Sequence, residues 1–260
     1  MDTYKMFNSI SEGFQRRVVD CINMALHDDL PRYLAEFQPD TTNGVPQSIG
    51  DWINTKIRKY LTGNNVEVIE FNRYSWRGKI IVDKENLITY TIMREKRLHQ
   101  LRREEREKPH YLQTIVAILN SDFIAPQKQM SFLEMDFFQF DDKMLEQDYD
   151  SIFKGQVSKT DGFHHCAIIY ETDGGSLSDI NILFLDKDLD EVDRISLNEF
   201  INPDFSKLTA IQYELQQDDV SDETPSVGLL ALRHREETNF EQETDSNPVG
   251  LPEKQKSLEE

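Results

Sequence analysis

The chain has 260 residues, of which 38% are hydrophobic and 30% charged, with a formal net charge of −19. That length supports a sizeable core, while the low apolar share predicts a folded domain followed by a solvated tail. The acidic balance excludes simple, non-specific attraction to nucleic acid or anionic lipid, and no apolar run approaches the roughly 18 residues of a membrane span.

The predicted elements begin with a helix whose capping box is Ser9 and Glu12 and whose apolar face is Phe14, Val18, Ile22, Ala25 and Leu26. Pro31 opens a second helical turn through Tyr33, Leu34 and Phe37, and a Thr/Asn/Gly/Pro loop follows between Pro39 and Pro46. A helix capped by Ser48 then carries Trp52, Ile53, Ile57, Tyr60 and Leu61 on one face and ends at Thr62-Gly63-Asn64. From Val66 to Met93 come three short β-branched and aromatic runs divided by turn-forming stretches, the pattern of an antiparallel meander. Its last strand runs into Arg94-Glu95-Lys96-Arg97, which opens a charged helix anchored by Leu98 and Leu101 and broken at Pro109. A more buried helix follows over Tyr111–Leu119. A strand is placed near Met135–Phe140, then two better ones at His164–Glu171 and Ile180–Asp186, with Val192–Leu197 pairing back. Asn198–Ile201 leads into a short helix ending near Leu215. The expected fold is α+β: a mostly antiparallel sheet of five to six strands, with helices packed on one side. One domain is expected over 1–215, helical to residue 63 and sheet-forming from 64. Residues 216–260 form an acidic, disordered tail with an apolar island at 227–232.

Charge divides the chain. Between Asp51 and His110 there are 14 Lys and Arg against 9 Asp and Glu, a local charge of +5. Between Met130 and Asp204 there are 5 against 18, a local charge of −13. The basic helix is therefore expected on a rigid sheet, opposite a later acidic half. Two cysteines, Cys21 and Cys166, suit a reducing compartment, the N-terminus has no basic-then-apolar signal pattern, and a cytoplasmic protein is expected.

Candidate chemistry is sparse. Asp186, Asp188 and Asp190 alternate as at the start of a calcium loop, but Glu191 and Leu197 stand where that loop needs Gly and a bidentate Glu; a solvated hairpin turn is the better reading. His164 and Cys166 share a strand face, yet no second His/Cys pair with ligand spacing exists, so no metal and no cofactor is expected. A metal-dependent nuclease would set Asp83 and Glu85 beside Lys96, although no Glu-x-Lys triplet is present. A metal-independent RNase would use His99 and His110 with Arg94, Arg97 or Arg103 on phosphate; the competing reading is a solvent-facing helix laced with Glu104, Glu105 and Glu107. The apolar island Val227–Leu232 is either the last element of the fold or a linear motif ordered by a partner.

The run Tyr90-Thr-Ile-Met-Arg-Glu-Lys-Arg97, followed by His110-Tyr111-Leu112, resembles uncharacterised proteins of Gram-positive bacteria and their prophages. The resemblance covers the middle third of the chain. It implies a genomic setting of mobile elements, repressors, and toxin–antitoxin or phage-defence modules.

The function expected is a non-catalytic binding protein of such a module, an antitoxin, anti-defence protein or defence-complex subunit, whose acidic surface engages a basic protein partner. Self-association through the same charge division stays open. The candidate binding residues are Arg94, Lys96, Arg97, Arg102, Arg103, Asp186, Asp188, Asp190, Leu229, Leu230 and Leu232. The alternative is a nucleic-acid-acting toxin or nuclease built on the basic 94–110 segment.

Overall fold

The computed structural model describes residues 7–63, 65–73, 76–103, 106–125 and 140–201. The expected strand near Met135–Phe140, the helix ending near Leu215 and the island with Leu229, Leu230 and Leu232 lie wholly or almost wholly outside them.

Helix α1 (Glu12–Met24) starts where the Ser11 hydroxyl accepts the Phe14 N–H at 3.2 Å. The cap is thus Ser11 and not Ser9, and Glu12 falls in the first turn, where its charge suits the helix dipole. A π-helical turn, Ala25–Asp29, joins α1 to α2 (Leu30–Phe37) without a loop. Helix α3 (Val45–Tyr60) begins three residues before the expected Ser48 cap, because Pro46 fits the first turn, whose N–H groups need no helical partner.

The meander forms as expected: β1 (Val66–Arg73), β2 (Trp76–Asp83) and β3 (Ile88–Arg94) pair antiparallel in sequence. Helices α4 (Glu95–Arg103), α5 (Tyr111–Leu119) and α6 (Asp142–Phe153) then carry the chain to β4 (His164–Asp173), which lies parallel to β3. Strands β5 (Ser176–Leu185) and β6 (Glu191–Ser196) add antiparallel, completing a six-stranded mixed sheet in the order β1-β2-β3-β4-β5-β6.

Helices cover both faces of this sheet, which corrects the expectation of one. Alternation along the strands is the cause. Ile81, Tyr90, Cys166, Ile168, Ile182 and Phe184 face a core with Phe14, Val18, Ile22, Ile49, Ile53 and Ile57 of α1 and α3. Their neighbours Ile80, Val82, Ala167, Ile169, Leu183 and Leu185 face a second core with Leu98, Leu101, Leu112, Ile115, Val116, Tyr149 and Phe153 of α4, α5 and α6. Central strands buried on both faces read as continuous apolar runs, as Cys-Ala-Ile-Ile-Tyr of β4 and Ile-Leu-Phe-Leu of β5 do.

Candidate functional site

The basic helix and the acidic turn are brought together, not set opposite each other. Helix α4 packs Leu98 and Leu101 into the second core beside Leu185 and Leu189. From there the Arg102 Nε donates to the Leu189 carbonyl oxygen at 2.8 Å, which ties the two charge-rich segments into one structural unit.

The turn between β5 and β6 is built around Asp186. This side chain is only 5% exposed, and its carboxylate accepts the N–H groups of Ala125, Asp188 and Asp190 at 2.9–3.0 Å. Such an arrangement satisfies the backbone of a tight turn and lets Leu189 adopt a left-handed φ of 65° while its side chain stays buried. The expected hairpin turn is present. Asp186 is its internal brace, Asp190 is half-buried, and Asp188 is exposed with Lys187 at 4.0 Å. Between residues 186 and 199 there are six Asp and Glu against two Lys and Arg. Apart from Asp186, the other five acids are half-buried or exposed.

The basic candidates are distributed differently. Arg97 is 8% exposed and its Nη1 donates to Gln100 Oε1 at 3.3 Å. Arg94, half-buried at the end of β3, has an Nη2 that is buried without a hydrogen-bond partner among the described residues. Lys96 and Arg103 are exposed. Beside them Arg73 donates to the Pro109 carbonyl and approaches Asp148 at 3.4 Å, while Asp148 also accepts the Thr114 hydroxyl at 2.6 Å.

His110 is half-buried and caps α5. Its Nδ1 accepts the Leu112 N–H at 3.2 Å, and its own N–H donates to Gln113 Oε1 at 2.8 Å. Burial pushes its pKa well below the usual histidine range, and the charges of Arg97, Arg73 and Arg106 push in the same direction. The charges of three guanidinium groups thus oppose protonation of this imidazole. His99 sits elsewhere on α4, 3.7 Å from Glu95.

Asp83 is a turn residue: its carboxylate accepts the N–H groups of Glu85 and Asn86 at 3.1 Å and the Asn86 amide at 2.7 Å. It faces Ile88 at the start of β3, whereas Lys96 lies beyond the end of that strand, roughly 20 Å away at the usual rise per residue. The nuclease arrangement of Asp83, Glu85 and Lys96 is therefore not assembled.

His164 packs edge-on against Phe123 and Phe184, and Cys166 lies fully buried in the first core. His165, which points the other way, is the polar feature that sequence reasoning missed. It is fully buried between Thr89 Oγ1, 2.8 Å from Nδ1, and Thr91 Oγ1, 3.0 Å from Nε2. The Thr89 hydroxyl donates to the His164 carbonyl at 3.2 Å, so it accepts from Nδ1–H, and Nε2 is left to accept from Thr91. Burial pushes this imidazole down to about 3. Asn120 braces the same place: its amide nitrogen donates to the carbonyls of His165 and Leu185 at 2.9 and 2.7 Å, and its oxygen accepts the His165 N–H at 2.9 Å.

Among the described residues no group of three or more His, Cys, Asp or Glu is placed to hold a metal ion, and no helix is long and apolar enough to cross a membrane. No curated protein and no solved structure matches the chain. A family model does match, over residues 7–251, and the chain belongs to that family, the DUF5986 family of unknown function.

Proposed function

We propose that this chain is a non-catalytic binding protein that engages a basic protein partner through the acidic border formed by the β5–β6 turn and strand β6. The observation that carries this reading is the accessibility of that border. Asp188, Asp190, Glu191, Asp193 and Glu199 remain at least partly exposed, against Lys187 and Arg194 alone in the same stretch. The nearby basic side chains Arg97 and Arg102 are turned to structural bonds within the protein. Complementary potential of this kind speeds encounter and orients a cationic partner. The setting proposed is the cytoplasm of a Gram-positive bacterium carrying a mobile element or prophage, with the protein as antitoxin, anti-defence protein or defence-complex subunit.

The test is an affinity pull-down from a native host, with the full chain and with a chain ending at Gln216, followed by titration of the recovered partner across ionic strength. A basic partner whose affinity falls with salt and with Asp188→Lys supports the proposal. An affinity unchanged by both overturns it.

A second reading, a nucleic-acid-acting toxin or nuclease, is favoured by the positive potential that Arg97, Arg73 and Arg106 exert at His110 and by the exposure of Lys96 and Arg103. Purified protein that neither shifts nor cleaves RNA or DNA, with and without magnesium, would remove it. Toxicity or cleavage lost on replacing Arg94, Arg97, Arg102 and Arg103, with the fold intact, would support it.

A further inference from the structure

The two edges of the sheet are finished differently. Strand β6 closes its border with charge: the Asp193 carboxylate accepts the Arg194 N–H at 2.9 Å, and Glu191 takes the Arg194 guanidinium in a two-pronged bond. Capped and charged edges resist the addition of another strand.

Strand β1 also carries charge, with Glu67 holding Lys84 at 2.6 Å and Glu70 holding Lys79 at 2.9 Å, but those pairs run inward to the β2 side and, among the described residues, no side chain bonds its outward backbone. Its hairpin to β2 pairs Arg73 with Trp76 across a two-residue loop, which makes 73↔76 a hydrogen-bonded pair. Alternation then assigns Phe71, Ile69 and Glu67 to the bonds with β2, and Lys84 N–H donating to Asn65 O at 2.9 Å fits the same phase. The backbones of Val66, Val68, Glu70 and Asn72 consequently point outward. Val66 exchanges both of its bonds with Gly63 at 2.9 Å. Among the described residues, no hydrogen-bond partner stands against the outward N–H and C=O groups of Val68, Glu70 and Asn72.

We propose that this edge joins two copies of the chain through antiparallel β1–β1 pairing about a two-fold axis at Glu70. That register sets Glu70 opposite Glu70 and Val68 opposite Asn72, so all three open residues meet open residues and six backbone hydrogen bonds form. It also sets Glu67 of one copy opposite Arg73 of the other, twice, at the closer, non-hydrogen-bonded positions; there the pair adds to the bonds each side chain makes in its own chain, Glu67 to Lys84 and Arg73 to Pro109 and Asp148. The like charges at the axis are already countered, since each Glu70 carboxylate accepts Lys79 Nζ at 2.9 Å within its own chain. The pairing would continue both apolar layers across the junction, because Ile69 and Phe71 on one face and Val68 on the other belong to the two cores. It leaves the acidic β6 border at the far end of the sheet free, and so does not depend on the partner proposed there.

The test is the mass of the full chain by light scattering and sedimentation velocity across the micromolar range, with hydrogen exchange read at single amides. The native protein is expected at twice the chain mass. Glu70→Pro removes an outward N–H, a substitution edge strands accommodate, together with the exposed ion pair to Lys79, and should halve the mass with an unchanged circular dichroism spectrum; Glu70→Gln, which loses the ion pair alone, should keep the dimer. Glu67→Arg should shift the dimer to higher concentration. A native chain of single mass throughout overturns the proposal, as does a dimer indifferent to both Glu70→Pro and Glu67→Arg. Should Glu70→Pro not fold, exchange in the native protein decides: Val68, Glu70 and Asn72 amides that slow with concentration support the pairing, and rates independent of concentration refute it.

Discussion

His165 makes a prediction that can be worked from the structure. The neutral imidazole fills the space between Thr89 and Thr91, and both of its ring nitrogens are engaged. Protonating Nε2 would force the Thr91 bond to reverse and place a charge among fully buried groups. Its folded-state pKa of about 3 against an ordinary 6.5 means that, between those pH values, the unfolded chain binds a proton which the folded chain refuses. Stability is then lost as pH falls, beginning below the unfolded value and ending near the folded one. At about 1.36 kcal/mol per pKa unit the full effect is on the order of 4–5 kcal/mol, with about half of it lost by pH 5. His110, also depressed, adds a slope of the same sign, so the comparison must isolate one histidine. Urea unfolding followed by circular dichroism between pH 7 and pH 4, for the native protein and His165→Gln, does this. The native curve should be steeper by up to about 1.4 kcal/mol per pH unit. Parallel curves, or an NMR titration placing His165 near its ordinary value, would refute the reasoning.

Other substitutions probe the frame around the site. Gly78→Ala would set a Cβ 2.5 Å from both the Phe71 and Trp76 rings; overpacking of this kind costs about 1–3 kcal/mol, read as a lower urea midpoint with an unchanged slope. Asn120→Ala leaves the His165 N–H and the His165 and Leu185 carbonyls without their side-chain partner. A loss of roughly 3 kcal/mol is expected, with faster exchange at His165. Arg102→Ala removes the bond to the Leu189 carbonyl at about 1–2 kcal/mol, and exchange should accelerate in the Asp186–Asp190 turn before it does in β4.

Much of this fold is written locally. The Val66–Met93 meander, the hairpin of β4 and β5 and the return of β6 follow from alternation and turn residues, because antiparallel neighbours need only short connections. The parallel pairing of β3 with β4 depends on contacts between residues some 75 positions apart in sequence, and no local pattern records it. The double-sided cover follows from the same crossover. Helix α6 was legible in principle: Asp141 caps it, and Leu145, Tyr149, Ile152 and Phe153 repeat at helical spacing, but the aromatic run just before it draws attention to a strand. The His-His-Cys run also reads differently in place. Adjacent side chains point to opposite layers, so His164 meets aromatic rings while His165 meets two threonines.

Burial separates charges that the sequence groups only by sign. Asp186 and Asp188 differ by two positions, yet one is the acceptor around which a turn is folded and the other faces solvent. Arg97 and Arg103 divide in the same way. Counting +5 against −13 therefore overstates the surface contrast, since Arg97 and Asp186 are buried and Arg102 is bonded to the Leu189 carbonyl. The two borders of the sheet leave different groups accessible among the described residues: acidic side chains along β6 and outward backbone along β1. These two borders have unlike chemistry, one suited to long-range attraction of a cation and the other to short-range, directional pairing. Association at one edge should accordingly respond to salt far more than association at the other.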